Sequence, residues 1–271
     1  MFFGSDQMNF IKRLSASVQA RFIQPWMQKH FNKTASGKVL ASYKGKYAGQ
    51  RCFLIGNGPS LRAEDLTRLH EAGEITFGFN RIYNIFDQTS WRPSFYISQD
   101  EKMLGGCSEK VNELDMGVKL IPIELKWWHG IQIDDALHFH IIYQEAENPL
   151  EFGFSDDMAK GIFNSSTCMY TAAQIAAYMG FSEIYLLGVD HSFRISQNNQ
   201  GQIVVDENAK DYFSDKYNAD KDNLYIPNTE KSTLTYMAMK HHCDIRGIRV
   251  FNTTRGGKLE VFPRADFDSL F

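Results

Sequence analysis

Five residues, Gly56-Asn57-Gly58-Pro59-Ser60, stand between the apolar run Arg51-Cys52-Phe53-Leu54-Ile55 and a stretch of helical periodicity at 63–72. A strand that ends in such a loop ahead of a helix places backbone N–H groups at the positive end of the helix dipole, and its glycines admit close approach. Both features suit phosphate. The loop is neither GxGxxG nor a Walker A sequence and lacks the P-loop lysine, so P-loop kinase chemistry is not indicated. A plain tight turn is the alternative.

Three more polar residues follow apolar runs: Asn80 after 75–79, Asp100 after 93–98, and Asp190-His191 after 183–188. In an open parallel sheet such strand ends gather at one edge, where ligands bind. His191 is then the candidate general base, with Asp190 orienting it or binding the donor of the transferred group. Taken singly, Asn80 can be a turn residue, Asp100 a helix cap, and His191 a satisfied loop histidine. Asn164-Ser165-Ser166-Thr167 is a second polar helix start, with Ser165 or Ser166 as its cap, able to offer hydroxyls and N–H groups to a phosphate or sugar. Tyr212, Tyr217 and Tyr225 can bind phosphate through their hydroxyls, stack on a base or sugar, or simply anchor a loop.

These residues need a sheet to position them. Short apolar runs at 51–56, 75–79, 93–98, 117–123, 138–142, 183–188 and 248–252 alternate with helical stretches at 63–72, 167–179 and 229–244. That alternation predicts an α/β fold: a Rossmann-like, doubly wound, mostly parallel sheet. Residues 194–227, rich in Asn, Asp, Gln and Lys, read as a lid-like insertion. Residues 51–271 form the nucleotide-binding domain. Residues 1–50 form a basic helical extension followed by a polar linker at 33–50.

The chain has 271 residues and a net charge of −3, unevenly spread. Residues 1–51 hold nine Lys or Arg against Asp6 alone, so the remainder carries −11 and offers no basic field for nucleic acid. Apolar residues at 10, 11, 14, 18, 22 and 26 recur at helical spacing among Lys12, Arg13, Arg21 and Lys29, with Pro25 expected to interrupt. Residues 8–31 therefore suit either a peripheral contact with an anionic membrane or partner, or packing on the chain's own domain. The four cysteines show no metal-ligand or disulfide spacing and read as reduced thiols. No run reaches signal-peptide or membrane-spanning length, which sets the expected compartment as the cytoplasm, with the inner membrane face as a peripheral site.

The blocks Phe53-Leu-Ile-Gly-Asn-Gly-Pro-Ser-Leu61, Gly78-Phe-Asn-Arg-Ile-Tyr83, Gly180-Phe-Ser-Glu-Ile-Tyr-Leu-Leu-Gly-Val-Asp-His191 and Gly256-Gly-Lys-Leu-Glu-Val-Phe262 resemble the MptE-like family. That family is named for a 6-hydroxymethylpterin diphosphokinase, and its bacterial members are associated with surface-glycan synthesis. The first and third blocks also resemble bacterial sialyltransferases that use CMP-sialic acid. The resemblance spans about 51–262. It implies a glycosyltransferase of cell-surface polysaccharide synthesis, with a nucleotide-sugar donor, CMP-linked by preference, at Asn57, Ser60, Asn80 and the Thr167 region, a glycan or lipid-linked glycan acceptor, and no required cofactor or metal. The alternatives are a diphosphokinase using ATP and Mg²⁺ on Asp100 and Asp190, and a nucleotide-binding module without turnover. Sialyltransferases carry a histidine after a Tyr-Ile-Gly segment, whereas the matching stretch here is Tyr225-Ile226-Pro227-Asn228. Asn228 cannot take a proton as histidine does, so either His191 has that role or the reaction is not sialyl transfer.

Overall fold

The computed structural model describes residues 22–214, 217 and 225–271. Its centre is a seven-stranded sheet in the order β11-β8-β1-β2-β3-β4-β5, parallel throughout. The strands are β1 (Arg51–Ile55), β2 (Thr76–Phe79), β3 (Phe95–Ile97), β4 (Val118–Pro122), β5 (Leu137–Phe139), β8 (Glu183–Leu187) and β11 (Arg249–Asn252). Both faces of the sheet are covered, so its strands read as continuous apolar runs. In β1, Cys52 and Leu54 enter the core on one face while Phe53 and Ile55 enter that on the other, and Ile184 and Tyr185 of β8 divide likewise. The run at 138–142 splits: Leu137–Phe139 stays in the main sheet, and β6 (Ile141–Ile142) pairs with β7 (Ile162–Phe163) in a separate ribbon.

The chain runs outward from β1 to β5 and then returns to the other side of β1 as β8 and β11. Connections leaving the C-terminal ends of β1 and β8 therefore diverge, opening the crevice that doubly wound folds use for ligands.

The segment at 33–50, expected to be a linker, is part of the domain. Helices α1 (Gln24–His30) and α2 (Ala35–Ala41) precede β1. Thr34 caps α2 by accepting from the Gly37 N–H at 3.0 Å. Met27, Phe31 and Leu40 are buried in the core, and Tyr47 stacks on Phe181 with ring centroids 5.0 Å apart. A Cβ at residue 37 would collide with the carbonyl of Phe31, which explains a glycine within a helix there. Pro25 lies in the first turn of α1, where its missing N–H costs no α-helical bond, and a π-type turn at Phe22 and Ile23 runs directly into it. The rest of the expected 8–31 helix lies outside the described residues.

The other helices are α3 (Ala63–Glu71), α4 (Glu101–Gly105), α5 (Ser108–Glu113), α6 (Ile123–His129), α7 (Cys168–Met179) and α8 (Thr229–Asp244). Core residues of α7 and α8 lie on the face of the sheet that also takes Met27, Phe31 and Leu40, and those of α3 to α5 lie on the opposite face. The expected lid contains an antiparallel hairpin of β9 (Ile195–Gln197) and β10 (Ile203–Val205). Residues 215, 216 and 218–224 of that insertion lie outside the described residues. All four cysteines are free, and no helix among the described residues is long and apolar enough to cross a membrane.

Candidate active site at the switch between β1 and β8

A cavity of about 550 Å³ opens at the C-terminal edge of the sheet, within the range of small-molecule sites. Gly56, Asn57, Gly58, Asn80, Asp100, Ser165, Ser166, Thr167, Asp190, His191, Tyr225 and Asn228 all line it. Pro59 and Ser60 are not on its wall.

The loop after β1 is closed by its neighbour. The N–H of Gly56 donates to Leu187 O at 2.7 Å, that of Gly58 to Gly188 O at 2.8 Å, and that of Leu61 back to Gly58 O at 3.1 Å. Ser60 donates its hydroxyl to Asp190 Oδ2 at 2.7 Å and its N–H to the same oxygen at 3.4 Å. The free amides expected for phosphate are therefore mostly engaged within the protein. The glycines serve that contact: a Cβ on Gly56 would strike the Gly188 carbonyl, and one on Gly58 would strike the Asp190 carboxylate. Asn57 donates its side-chain N–H to Phe79 O at 3.1 Å, which leaves Oδ1 buried without a hydrogen-bond partner. Such an acceptor suits an N–H or O–H of a ligand, not a phosphate oxygen.

Asp190 does not orient His191. Its carboxylate holds the Ser60 loop, and burial raises its pKa against the opposing bonds from Ser60. The partner of His191 is Thr233, whose Oγ1 lies 2.8 Å from Nε2. Thr233 has one hydroxyl hydrogen and gives it to Thr229 O at 2.8 Å. Nε2 must then be the donor, leaving the lone pair on Nδ1. Burial lowers the His191 pKa below its ordinary 6.5, so the ring is neutral at pH 7. Its backbone is left-handed, φ 52°, and Tyr236 meets the ring edge-on at 5.5 Å. A non-glycine residue held in that region costs about 1 kcal/mol or more, a strain that occurs often at functional sites.

Across the cavity, Asn80 is also left-handed, φ 51°, and its Oδ1 accepts from Ser98 Oγ at 3.1 Å. Asp100 caps α4 by accepting from the Met103 N–H at 2.9 Å, and burial raises its pKa. The cap of α7 is Thr167, not the expected Ser165 or Ser166: its Oγ1 accepts from the Met169 N–H at 3.3 Å. Ser165 Oγ donates to Thr167 O at 3.0 Å and Ser166 Oγ pairs with Thr235 Oγ1 at 2.8 Å. Gly180 ends α7 with φ 91°.

Asn228 caps α8. Its Oδ1 accepts from the Lys231 N–H at 2.8 Å and its Nδ2 donates to Asn198 O at 3.1 Å, so both ends of the amide are used. Tyr225 is half exposed at the mouth, its hydroxyl bonded to Glu101 and pushed up to about 12, and its ring lies 4.3 Å from Lys102 Nζ. Tyr212 and Tyr217 stack at 3.8 Å in the cavity wall. Thr233 was invisible to sequence reading, since no local pattern ties it to a residue 42 positions away.

The wall has an unusual charge. Asp100, Glu101, Asp190 and Asp211 are its ionisable acids, and no Lys or Arg is among its described residues. The N-termini of α4, α7 and α8 are then the positive features facing the cavity among the described residues, and that of α7 alone is capped by an uncharged hydroxyl. Among the described residues no group of three or more His, Cys, Asp or Glu is placed to hold a metal ion.

No family model matches the chain, and no curated protein does. Among solved structures, the MAf glycosyltransferase from Magnetospirillum magneticum AMB-1 is similar over 87% of this chain and 38% of its own, at 16% identity and a TM-score of 0.48. The chain thus spans well under half of that protein, and a likeness at this level speaks to neither activity nor ligand. The resemblance to MptE-like proteins and sialyltransferases rests on the motifs alone.

Proposed function

We propose that this chain is a glycosyltransferase that moves a sugar from a nucleotide-linked donor to a glycan hydroxyl in cell-surface polysaccharide synthesis. The observation that carries this reading is the neutral His191 ring, held through Nε2 by Thr233 so that Nδ1 is the free base in a cavity that also faces the N-terminus of α7. The acceptor hydroxyl gives its proton to His191 Nδ1 as its oxygen bonds to the anomeric carbon. The bond from that carbon to the donor phosphate breaks, and the charge left on phosphate develops beside the α7 N-terminus. Asn57 Oδ1 takes a hydrogen from the nucleoside. A wall with four acids and no described cation favours a donor with a single phosphate, which is the CMP-linked class; nucleoside diphosphates carry a second charge that this wall repels.

The test is release of nucleotide from CMP-, UDP- and GDP-linked sugars with a glycan acceptor, in EDTA and in Mg²⁺. Metal-independent turnover of a CMP-linked donor, abolished by His191→Ala while CMP binding persists, supports the reading. The acidic wall favours one competitor, a Mg²⁺-dependent diphosphokinase with Asp100 and Asp190 as metal ligands. Turnover confined to ATP with Mg²⁺ selects that competitor, and binding with no turnover in any mixture selects a non-enzymatic module.

A further inference from the structure

The insertion between β8 and α8 carries an uncharged ribbon. From Ile195 to Val205 no residue is ionisable, and the nearest charges are Arg194 and Asp206 at its foot. In the antiparallel register of β9 and β10, Val205 lies opposite Ile195 and Ile203 opposite Gln197. Side chains two residues apart in a strand share a face, so Ile195, Gln197, Ile203 and Val205 form one side of the ribbon. Its three aliphatic members are 45%, 54% and 58% exposed, whereas Ser196, on the other side, is buried. Exposed strands are ordinarily blunted by a charge or a proline, and this ribbon has neither.

The apolar side runs into the mouth of the cavity. Gln197, which belongs to it, is part of the cavity wall. The Gln197 N–H donates to Pro227 O at 2.8 Å and its side-chain Nε2 to Ile226 O at 3.0 Å. These bonds set the segment 225–228 against β9, where Gln197 also bridges to Asn228. Tyr225 and Ile226, both exposed, line the cavity as well. A molecule that leaves the cavity past Gln197 therefore meets branched aliphatic side chains.

The patch is too small for a protein partner. A stable interface buries roughly 800 Å² on each side, and three half-exposed aliphatic side chains fall far short of it. Without Lys or Arg the ribbon does not read anionic headgroups either. It suits hydrocarbon that belongs to a molecule the cavity already holds, where a small apolar contact adds to an existing one. We infer that the side of the ribbon formed by Ile195, Ile203 and Val205 receives the hydrocarbon chain of a lipid-linked acceptor, whose sugar enters the cavity past Gln197. That the bound molecule is an acceptor rests on the transferase reading; the apolar seat does not.

The test is calorimetric titration of the full chain with dodecyl maltoside, below its critical micelle concentration, and with maltose. The alkyl glycoside should bind roughly tenfold or more tighter than the sugar alone. Ile195→Thr, Ile203→Thr and Val205→Thr together keep β-branching while replacing apolar groups by hydroxyls, and should remove most of that gain. Val204→Thr, on the opposite side and similarly exposed, should leave it intact. Circular dichroism and melting should be unchanged in both variants, because the replaced side chains are exposed. Equal binding of the two sugars, no binding of either, a gain untouched by the triple variant, or one reduced as much by Val204→Thr overturns the inference. So does a dimer, seen by sedimentation equilibrium, that the triple variant disperses. An alkyl-chain effect that depends on the ribbon in a protein that releases no nucleotide supports the apolar seat and overturns the transferase reading alone.

Discussion

Asp190 Oδ2 accepts the hydroxyl of Ser60 at 2.7 Å, tying the loop that leaves β1 to the loop that leaves β8, its parallel neighbour. The bond assigns the acid of the GVDH block a positioning role, and it explains why Gly58 must lack a side chain. Gly58→Ala should therefore cost about 1–3 kcal/mol through overpacking against the carboxylate. In an Asp190→Ala background the same change should cost less, by the share due to the carboxylate, with the contact to the Gly188 carbonyl remaining. Urea denaturation of the four proteins of this cycle measures the coupling; equal costs in both backgrounds would show that the loop is not held this way.

His191→Ala should lower kcat/KM by about 10²–10⁴ while leaving nucleotide affinity within a few-fold. Thr233→Val leaves the ring in place but removes the acceptor of Nε2–H, freeing the wrong tautomer. It should reduce kcat more than it changes KM for the donor. A Thr233→Val enzyme with unchanged kcat would remove Thr233 from the account.

Activity should rise with pH and then level off, with a midpoint below 6.5, because burial lowers the His191 pKa and the neutral ring is the base. The same shift acts on stability. Below pH 6.5 the unfolded chain binds a proton that the folded ring resists, so unfolding is favoured as the pH falls, and the slope vanishes above that value. His138 and His242, also lowered by burial, add to this trend. Melting temperature measured from pH 7.5 to 5 should fall, and less so in His191→Gln.

The charge of the cavity wall reverses the usual salt effect. Sites that hold nucleotides with Lys and Arg lose affinity as salt rises. Here Asp100, Glu101, Asp190 and Asp211 face the ligand with no described cation among them, so screening should strengthen CMP binding modestly as ionic strength increases. Thr167→Ala, which removes the α7 cap at a cost of about 1 kcal/mol, should weaken binding of CMP but not of cytidine. Thermal-shift titrations with both ligands at two salt concentrations decide both points.

The sheet was legible because burial on both faces writes each strand as an unbroken apolar run, as at 183–188. The gathering of Asn80, Asp100, Asp190 and His191 followed from parallel topology alone. The use made of each residue did not. Whether the amides of 56–60 point at a ligand depends on carbonyls at 187 and 188, more than a hundred residues away, and on the carboxylate of Asp190. Aligning Asn228 with the histidine of a motif takes no account of the helix that begins at Thr229, which Asn228 caps.

The same blindness affected residues 33–50. A seven-residue helix shows too few turns for periodicity to stand out, and Ser36-Gly37-Lys38 reads as a loop, yet Leu40 is fully buried against the sheet. Packing, not propensity, makes this helix. Leu40→Ala should therefore cost about 2–5 kcal/mol, as for a core leucine, whereas a true linker position would tolerate it within about 0.5 kcal/mol. Val39→Ala, one residue away and half exposed, is the matched control. Chemical denaturation of the two variants separates the readings, and near-equal stabilities would return this segment to the status of a tether.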